Sequence, residues 1–242
     1  MKGLKIVVLA KQVPDTRNVG KDAMKADGTV NRAALPAIFN PEDLNALEQA
    51  LRLKDKIEGT TVHILTMGPG RAAEIIREAM FRGADGGFLL SDRAFAGSDT
   101  LATSYALACA LQNLKTDLLI CGRQAIDGDT AQVGPQIAEK LHLPQVTYAA
   151  DITKDGNTIT VKRMLEDGYM TIKVQTPCLL TCIKELNEPR YMSIDGIYAT
   201  YNKPLETYDY EKLKDHPLID ATTIGLKGSP CLLYTSPSPR DV

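Results

Sequence analysis

The chain reads as an α/β protein, a Rossmann-like open, mostly parallel sheet with added C-terminal strands and an extended C-terminal arm. Two observations carry that reading. Short continuous apolar runs at 4–9, 61–67, 86–91 and 117–122 alternate with longer segments of helical period, and unbroken apolar runs of strand length belong to parallel strands covered on both faces. Beyond residue 145 the helices drop out and four strand-like runs follow one another, which adds strands to the same sheet.

Each element has its own signal. Leu4-Lys5-Ile6-Val7-Val8-Leu9 is the first strand. Asn40-Pro41-Glu42-Asp43 opens a helix with a capping residue, a proline at the first helical position and two carboxylates at the positive end of the dipole. Leu44, Leu47 and Leu51 share one face of that helix, which runs to about Lys56. Residues 61–67 form the second strand, Gly68-Pro69-Gly70 a turn, and the following helix stops at Gly83. Residues 86–91 are the third strand. Ser98 or Asp99 caps a helix over 100–114, residues 117–122 are the fourth strand, and a helix across 130–142 is broken or started at Pro135. Strands at 145–152, 158–165, 169–175 and 178–183 come next, with Asp155-Gly156-Asn157 as a hairpin turn. After Asn187-Glu188-Pro189 the chain is rich in Tyr, Lys and Asp through 228, the pattern of an extended arm that rests on another surface. The expected organisation is a Rossmann-like domain over 1–200, an arm over 201–230 that rests on another surface, and a Ser- and Pro-rich tail over 231–242 read as non-native.

Composition narrows the function classes. Of 242 residues, 28 are Lys or Arg and 30 are Asp or Glu, a formal charge of -2. Such a balance offers no field to hold a nucleic-acid backbone, and the absence of Trp with only 5% aromatics leaves no stacking platform for bases. No apolar run approaches the roughly 20 residues that span a bilayer, so no membrane insertion is expected and the location reads as cytoplasmic. The five cysteines include no C-x-x-C pair, and all but Cys231 lie in apolar segments, as buried thiols do. His63, His142 and His216 are scattered, so no metal site is predicted.

In an open parallel sheet, ligands sit outside the carboxyl ends of the strands. The segment after the fourth strand is the richest of these ends. Cys121-Gly122-Arg123-Gln124-Ala125-Ile126-Asp127-Gly128-Asp129-Thr130 offers two glycines, two carboxylates and then a helix start whose amides favour an anion. Spacing alone favours a plain connecting loop in which Asp129 or Thr130 caps the helix. Asn40 is read more simply as a cap than as a ligand contact, and the same holds for Ala96-Gly97-Ser98-Asp99-Thr100. Neither G-x-G-x-x-G nor a Walker A pattern occurs, and no nucleophile–base order or acid–base set is present, which argues against dehydrogenase and hydrolase readings.

Four stretches then carry a resemblance: AKQVPDT (10–16), NPEDLNALEQALRLK (40–54), GRQAIDGDTAQVGPQIAEKLHLPQVT (122–147) and KELNEPRYMS (184–193). In order and spacing they resemble the small, or beta, subunit of an electron-transfer flavoprotein over about residues 1–229. The resemblance implies a heterodimer with a large alpha subunit that carries one FAD. It also implies an adenine nucleotide in the small subunit, AMP in the respiratory kind or a second FAD in the anaerobic, electron-bifurcating kind, with NADH as donor. Carried over, that nucleotide site comprises Leu9, Asn40, Pro41, Glu42, Asp43, Met67, Cys121, Gly122, Arg123, Gln124, Ala125, Ile126, Asp127, Gly128, Asp129, Thr130, Gln132 and Val133. AIDGDTAQVGP and SDRAFAGSDTLATS (91–104) look like the bifurcating group, so FAD is favoured over AMP. The resemblance also implies an acyl-CoA-type dehydrogenase docked on Asn187, Glu188, Pro189, Arg190, Tyr191 and Ile194, and ferredoxin or flavodoxin as low-potential acceptor. Tyr191, Met192 and Ile194 recur too irregularly for the face of a strand or helix, and packing on the chain's own sheet is the competing expectation for them.

Overall fold

The computed structural model describes residues 3–15, 36–213 and 216. The central strands are β1 (Lys5–Leu9), β4 (Thr61–Met67), β5 (Gly86–Leu90), β6 (Leu118–Gly122) and β10 (Cys178–Cys182). They alternate with α1 (Pro41–Lys56), α2 (Ala73–Arg82), α3 (Thr100–Leu114) and α4 (Val133–Lys140). Three antiparallel-paired strands, β7 (Gln145–Asp155), β8 (Thr158–Leu165) and β9 (Gly168–Gln175), widen the sheet on one side, and β11 (Leu205–Tyr208) closes the other. The resulting nine-stranded order is β11-β5-β4-β1-β6-β10-β7-β8-β9. A separate two-stranded ribbon pairs β2 (Gln12–Pro14) with β3 (Ala37–Phe39).

Why the strands read as continuous apolar runs is visible in the layers. Ile6 and Val8 join Val62 and Ile64 in a core with Leu47 and Leu51 of α1 and Ile75 and Ile76 of α2. Val7 and Leu9 point the other way, with Leu65 and Leu119, against Leu107 and Leu111 of α3 and Ile137 of α4. Alternate side chains of one strand therefore bury into opposite helical layers, so most positions along it are apolar. Leu47 and Leu51 are each 1% exposed, and such burial contributes about 2 kcal/mol per side chain.

The chain leaves β1 to build β4 and β5 on one side and then crosses back to place β6 on the other. The strand order thus reverses between β1 and β6, and the crevice at their carboxyl ends is where a doubly wound sheet leaves room for a ligand.

Two expectations are corrected beyond this crevice. The helix after β6 begins at Val133, with Gln132 as its cap residue and no side-chain cap bond, so neither Asp129 nor Thr130 caps it. The segment after residue 193, expected to lack helical or strand regularity, folds as α5 (Ile194–Thr200), capped by the Ser193 hydroxyl, which accepts from Gly196 N at 3.0 Å. The first part of the expected arm rests on the sheet itself: β11 pairs in parallel with β5, Leu205 opposite Gly87 through Tyr208 opposite Leu90, and a short α6 (Tyr210–Leu213) follows. The rest of the arm and the 231–242 tail lie outside the described residues. Cys109, Cys121, Cys178 and Cys182 are buried free thiols, and Cys231 lies outside the described residues.

Candidate functional site

The carboxyl ends of β1, β4, β5 and β6 open into a cavity of about 700 Å³. Of the residues singled out from the sequence, Leu9, Asp43, Met67, Cys121, Gly122, Arg123, Gln124, Ala125, Gly128, Asp129, Thr130, Gln132 and Val133 line it. Asn40, Pro41, Glu42, Ile126 and Asp127 do not. Four of these five brace the loop that does the lining, and Pro41 starts α1.

The bracing corrects the reading of Asn40 as a cap. Its side chain makes no cap bond to α1. Instead its Nδ2 donates to Gln124 O at 2.9 Å and its Oδ1 accepts from Ile126 N at 3.1 Å, so one buried amide satisfies two backbone groups of the β6–α4 loop. The physical reason is geometric: α1 starts beside the end of β6, and the two loops compete for the same polar side chain.

The carboxylates of the first turn of α1 do similar work. Glu42 accepts from Gln124 N at 3.0 Å and pairs with the Arg123 guanidinium at 3.0 Å. Asp43 spans the switch point, one oxygen accepting from Gly122 N at 2.8 Å and the other from Lys11 N at 2.9 Å. Burial pushes the Asp43 carboxyl up to about 7, against the lowering effect of those amides. Burial also raises Glu42, with the Gln124 amide and Arg123 pulling the other way. At Gly122 a side chain has no room, because its Cβ would stand 2.6 Å from Asp43 Oδ1 and 2.8 Å from the Glu42 backbone. The glycine therefore permits close approach of α1 to β6.

The loop itself is under backbone strain. Asp129 and Ala131, neither of them glycine, adopt φ of +48° and +52°, a region that L residues enter at a cost and that is enriched at ligand sites. Gln124 Nε2 donates to Asp129 Oδ1 at 2.9 Å across the turn. Gly128 stands over open space, with no atom within 4 Å of where a Cβ would lie. Arg123 also stands 5.5 Å from the centre of the Tyr148 ring.

Sequence reasoning missed part of the lining. Lys11 follows β1, lines the cavity and pairs with Asp127 at 2.6 Å. Gly68 and Pro69 follow β4, and Ser91, Asp92, Arg93 and Phe95 follow β5. Their signal was position alone, at the carboxyl ends of strands already assigned. The 96–100 segment combines both readings: Asp99 caps α3 by accepting from Ala102 N at 2.9 Å, and the same residues wall the cavity.

Of the residues expected to dock a partner, Asn187 and Arg190 bond to side chains of α1. Asn45 Nδ2 donates to Asn187 O at 2.6 Å, and Arg190 pairs with Glu48 at 2.8 Å. Tyr191 and Ile194 are 94% and 73% exposed, so packing onto the chain's own sheet, the competing expectation, is not what the fold does with them. Glu188 and Pro189 lie in the same irregular segment.

Residues 27–213 match the model of the electron transfer flavoprotein domain. The chain belongs to this family. Its relatives include beta subunits, such as that of Thermoanaerobacterium thermosaccharolyticum, 50% identical over 241 residues that cover 98% of this chain and 89% of the relative. The acryloyl-CoA reductase electron transfer subunit gamma of Anaerotignum propionicum is 57% identical over 240 residues, 98% of this chain and 89% of the relative. The caffeyl-CoA reductase-Etf complex subunit CarD of Acetobacterium woodii is 50% identical over 237 residues, 98% and 88%. The electron-transfer flavoprotein fold expected from the sequence motifs is therefore the fold observed. Among the described residues no helix is long and apolar enough to cross a membrane, and no group of three His, Cys, Asp or Glu is placed to hold a metal ion.

Proposed function

We propose that this electron-transfer flavoprotein subunit holds FAD in the cavity at the β1–β6 switch point. With an alpha subunit it passes electrons from NADH to an acyl-CoA-type dehydrogenase and, by bifurcation, to a ferredoxin or flavodoxin. The observation that carries the reading is the reach of the cavity. It extends from the Gly122–Gln132 loop past Leu9 and Met67 to Ser91–Thr100, and the Ser91–Thr100 wall beside β5 lies beyond the residues expected of the adenine-nucleotide site, which leaves room for the rest of an FAD. Relatives named for acryloyl-CoA and caffeyl-CoA reductases point to the same partner chemistry.

The residues present fit such a group. The uncapped first turn of α4, with Gln132, Val133 and Gly134 on the wall, suits a phosphate held by free amides. Leu9, Met67, Phe95 and Cys121 supply apolar walls for a ring system. Glu42, Asp43 and Asn40 fix the loop, and Lys11 and Arg123 set the charge at its edges. When bound, the flavin supplies hydride and one-electron chemistry, and the protein contributes orientation and electrostatics, which is why no acid–base set is needed.

A specific sequence feature bears on the alternative, structural AMP: the loop reads Asp127-Gly128-Asp129-Thr130-Ala131-Gln132-Val133-Gly134, whereas the respiratory kind carries acidic residues followed by N-Q-T-G. Flavin and AMP counted after denaturation of the coexpressed heterodimer decide between them. Two FAD and no AMP are expected per heterodimer, and one FAD with one AMP would overturn the proposal.

A further inference from the structure

Glu48 stands in the middle of α1 with its side chain 5% exposed, a carboxylate held out of water beneath the Arg190 side chain. Burying it costs free energy unless it is paired and hydrogen-bonded. Its oxygens accept from Arg52 Nε at 2.9 Å, Arg190 Nε at 2.8 Å, Arg190 Nη2 at 3.3 Å and the Arg190 backbone N at 3.0 Å. Arg190 also reaches Asp55 at 2.8 Å, and Arg82 donates to the Arg190 carbonyl. One turn earlier on α1, Asn45 and Asn187 exchange bonds, Asn45 Nδ2 to Asn187 O at 2.6 Å and Asn187 Nδ2 to Asn45 O at 3.0 Å. The pairing lowers the Glu48 carboxyl despite its burial, so it remains charged.

The far end of the segment is fixed to α2. Ser193 N donates to Phe81 O at 3.2 Å, and Gly196 lies so close to that carbonyl that a Cβ would collide with it. Between and just beyond these attachments the apolar side chains face outward: Tyr191, Met192 and Ile194, then Tyr198 and Tyr201, are all exposed. A segment serving only to cover the core would do the reverse, turning its aliphatic and aromatic groups inward and leaving the carboxylate in water. Here the backbone is bound by buried polar groups and the apolar groups are presented.

We infer that Glu48, assisted by Asn45, is a positioning residue for partner docking. It holds Arg190, and through it the 187–194 backbone, so that Tyr191, Met192 and Ile194 stand preformed for a dehydrogenase surface. The inference rests on the dehydrogenase role proposed above and on the docking that the resemblance implies for residues 187–194. Its energetic basis is preorganisation: a loop already ordered does not lose that entropy on association.

The test uses the coexpressed heterodimer and an acyl-CoA dehydrogenase that the wild type serves, with the KM for the dehydrogenase, kcat, flavin content and melting temperature all measured. Glu48→Gln and Arg190→Gln should each raise KM about tenfold with kcat nearly unchanged, and the double variant should be no worse than the weaker single, because both remove one pairing. Glu48→Asp, which keeps the charge, should recover much of the loss. If Ile194→Ala raises KM while Glu48→Gln and Arg190→Gln do not, the docking role stands and the positioning inference is overturned. If Ile194→Ala also leaves KM unchanged, the docking role itself fails. A Glu48→Gln variant that loses flavin and melts early makes Glu48 structural, and the inference is then overturned unless Arg190→Gln raises KM at full flavin content.

Discussion

The Asp43 carboxylate accepts from Gly122 N at 2.8 Å, and through its second oxygen from Lys11 N at 2.9 Å, so a single side chain of α1 joins the ends of β1 and β6. Its carboxyl is pushed up to about 7 by burial, well above the 3.8 of an exposed aspartate. Between those values the folded chain binds more protons than the unfolded chain, so stability falls as pH rises. The contribution is fully present below about 4 and is lost as pH passes through about 7. Asp43→Asn removes the titration, with one amide group then facing a backbone donor. Melting temperatures of wild type and variant between about pH 5 and pH 8 should therefore show the wild type losing ground to the variant as pH increases. Parallel curves would mean that Asp43 does not titrate in this range.

Gly128 and Asp129 separate binding from folding. A Cβ at Gly128 meets nothing within 4 Å, so Gly128→Val should leave the melting temperature alone while its side chain occupies ligand space and flavin or AMP content falls by most of its value. Asp129 sits at φ +48°. Asp129→Ala should therefore lose both the side chain and about 1 kcal/mol of backbone strain relief, whereas Asp129→Gly loses only the side chain. Nucleotide content should be lowered in both, with the glycine variant the more stable. Full occupancy in Gly128→Val would remove this loop from the site.

How far the sequence predicts this architecture depends on burial. β1, β4, β5 and β6 are legible because side chains on both faces are buried, which leaves apolar runs of the right length. Leu47 and Leu51 announce α1 by their spacing. Asn40 is not legible, since a capping asparagine and one that bonds Gln124 and Ile126 occupy the same place before Pro41. Lys11 and Arg93 lie outside any periodic element, so only the assembled topology brings them to the cavity. Helix α5 is legible in the spacing of Ile194, Ile197, Tyr198 and Tyr201 at i, i+3, i+4 and i+7, which the more irregular Tyr191, Met192 and Ile194 obscure, and its apolar face is exposed instead of turned to the core. β11, with the sequence Leu-Glu-Thr-Tyr, is an edge strand too short and too polar to signal itself.

The buried thiols make a simple prediction. Burial pushes Cys109 up to about 11 and Cys178 up to about 12, and raises Cys121 and Cys182 as well. Thiolate is the reactive form, so all four should resist iodoacetamide at neutral pH in the folded heterodimer and react after denaturation. Peptide mass mapping reads this residue by residue. Labelling of Cys121 in native protein would show that the cavity wall opens at β6.

Ile194 is the first residue of α5 and is 73% exposed, beside Tyr191 at 94%. Truncating it removes no core contact, so Ile194→Ala should melt within the error of the wild-type heterodimer. An aliphatic anchor seated in a partner's pocket contributes about 2 kcal/mol or more, and at about 1.4 kcal/mol per decade that predicts a Kd for the dehydrogenase weakened at least tenfold. Ile197, 41% exposed on the next turn of α5, serves as the comparison: Ile197→Ala should cost less, because less of that side chain is available to a partner. Titration calorimetry or biolayer interferometry with immobilised heterodimer measures both. Equal affinity for wild type and Ile194→Ala would show that the exposed stretch is not the dehydrogenase contact. A melting temperature lowered by several degrees would mean instead that Ile194 packs against its own chain.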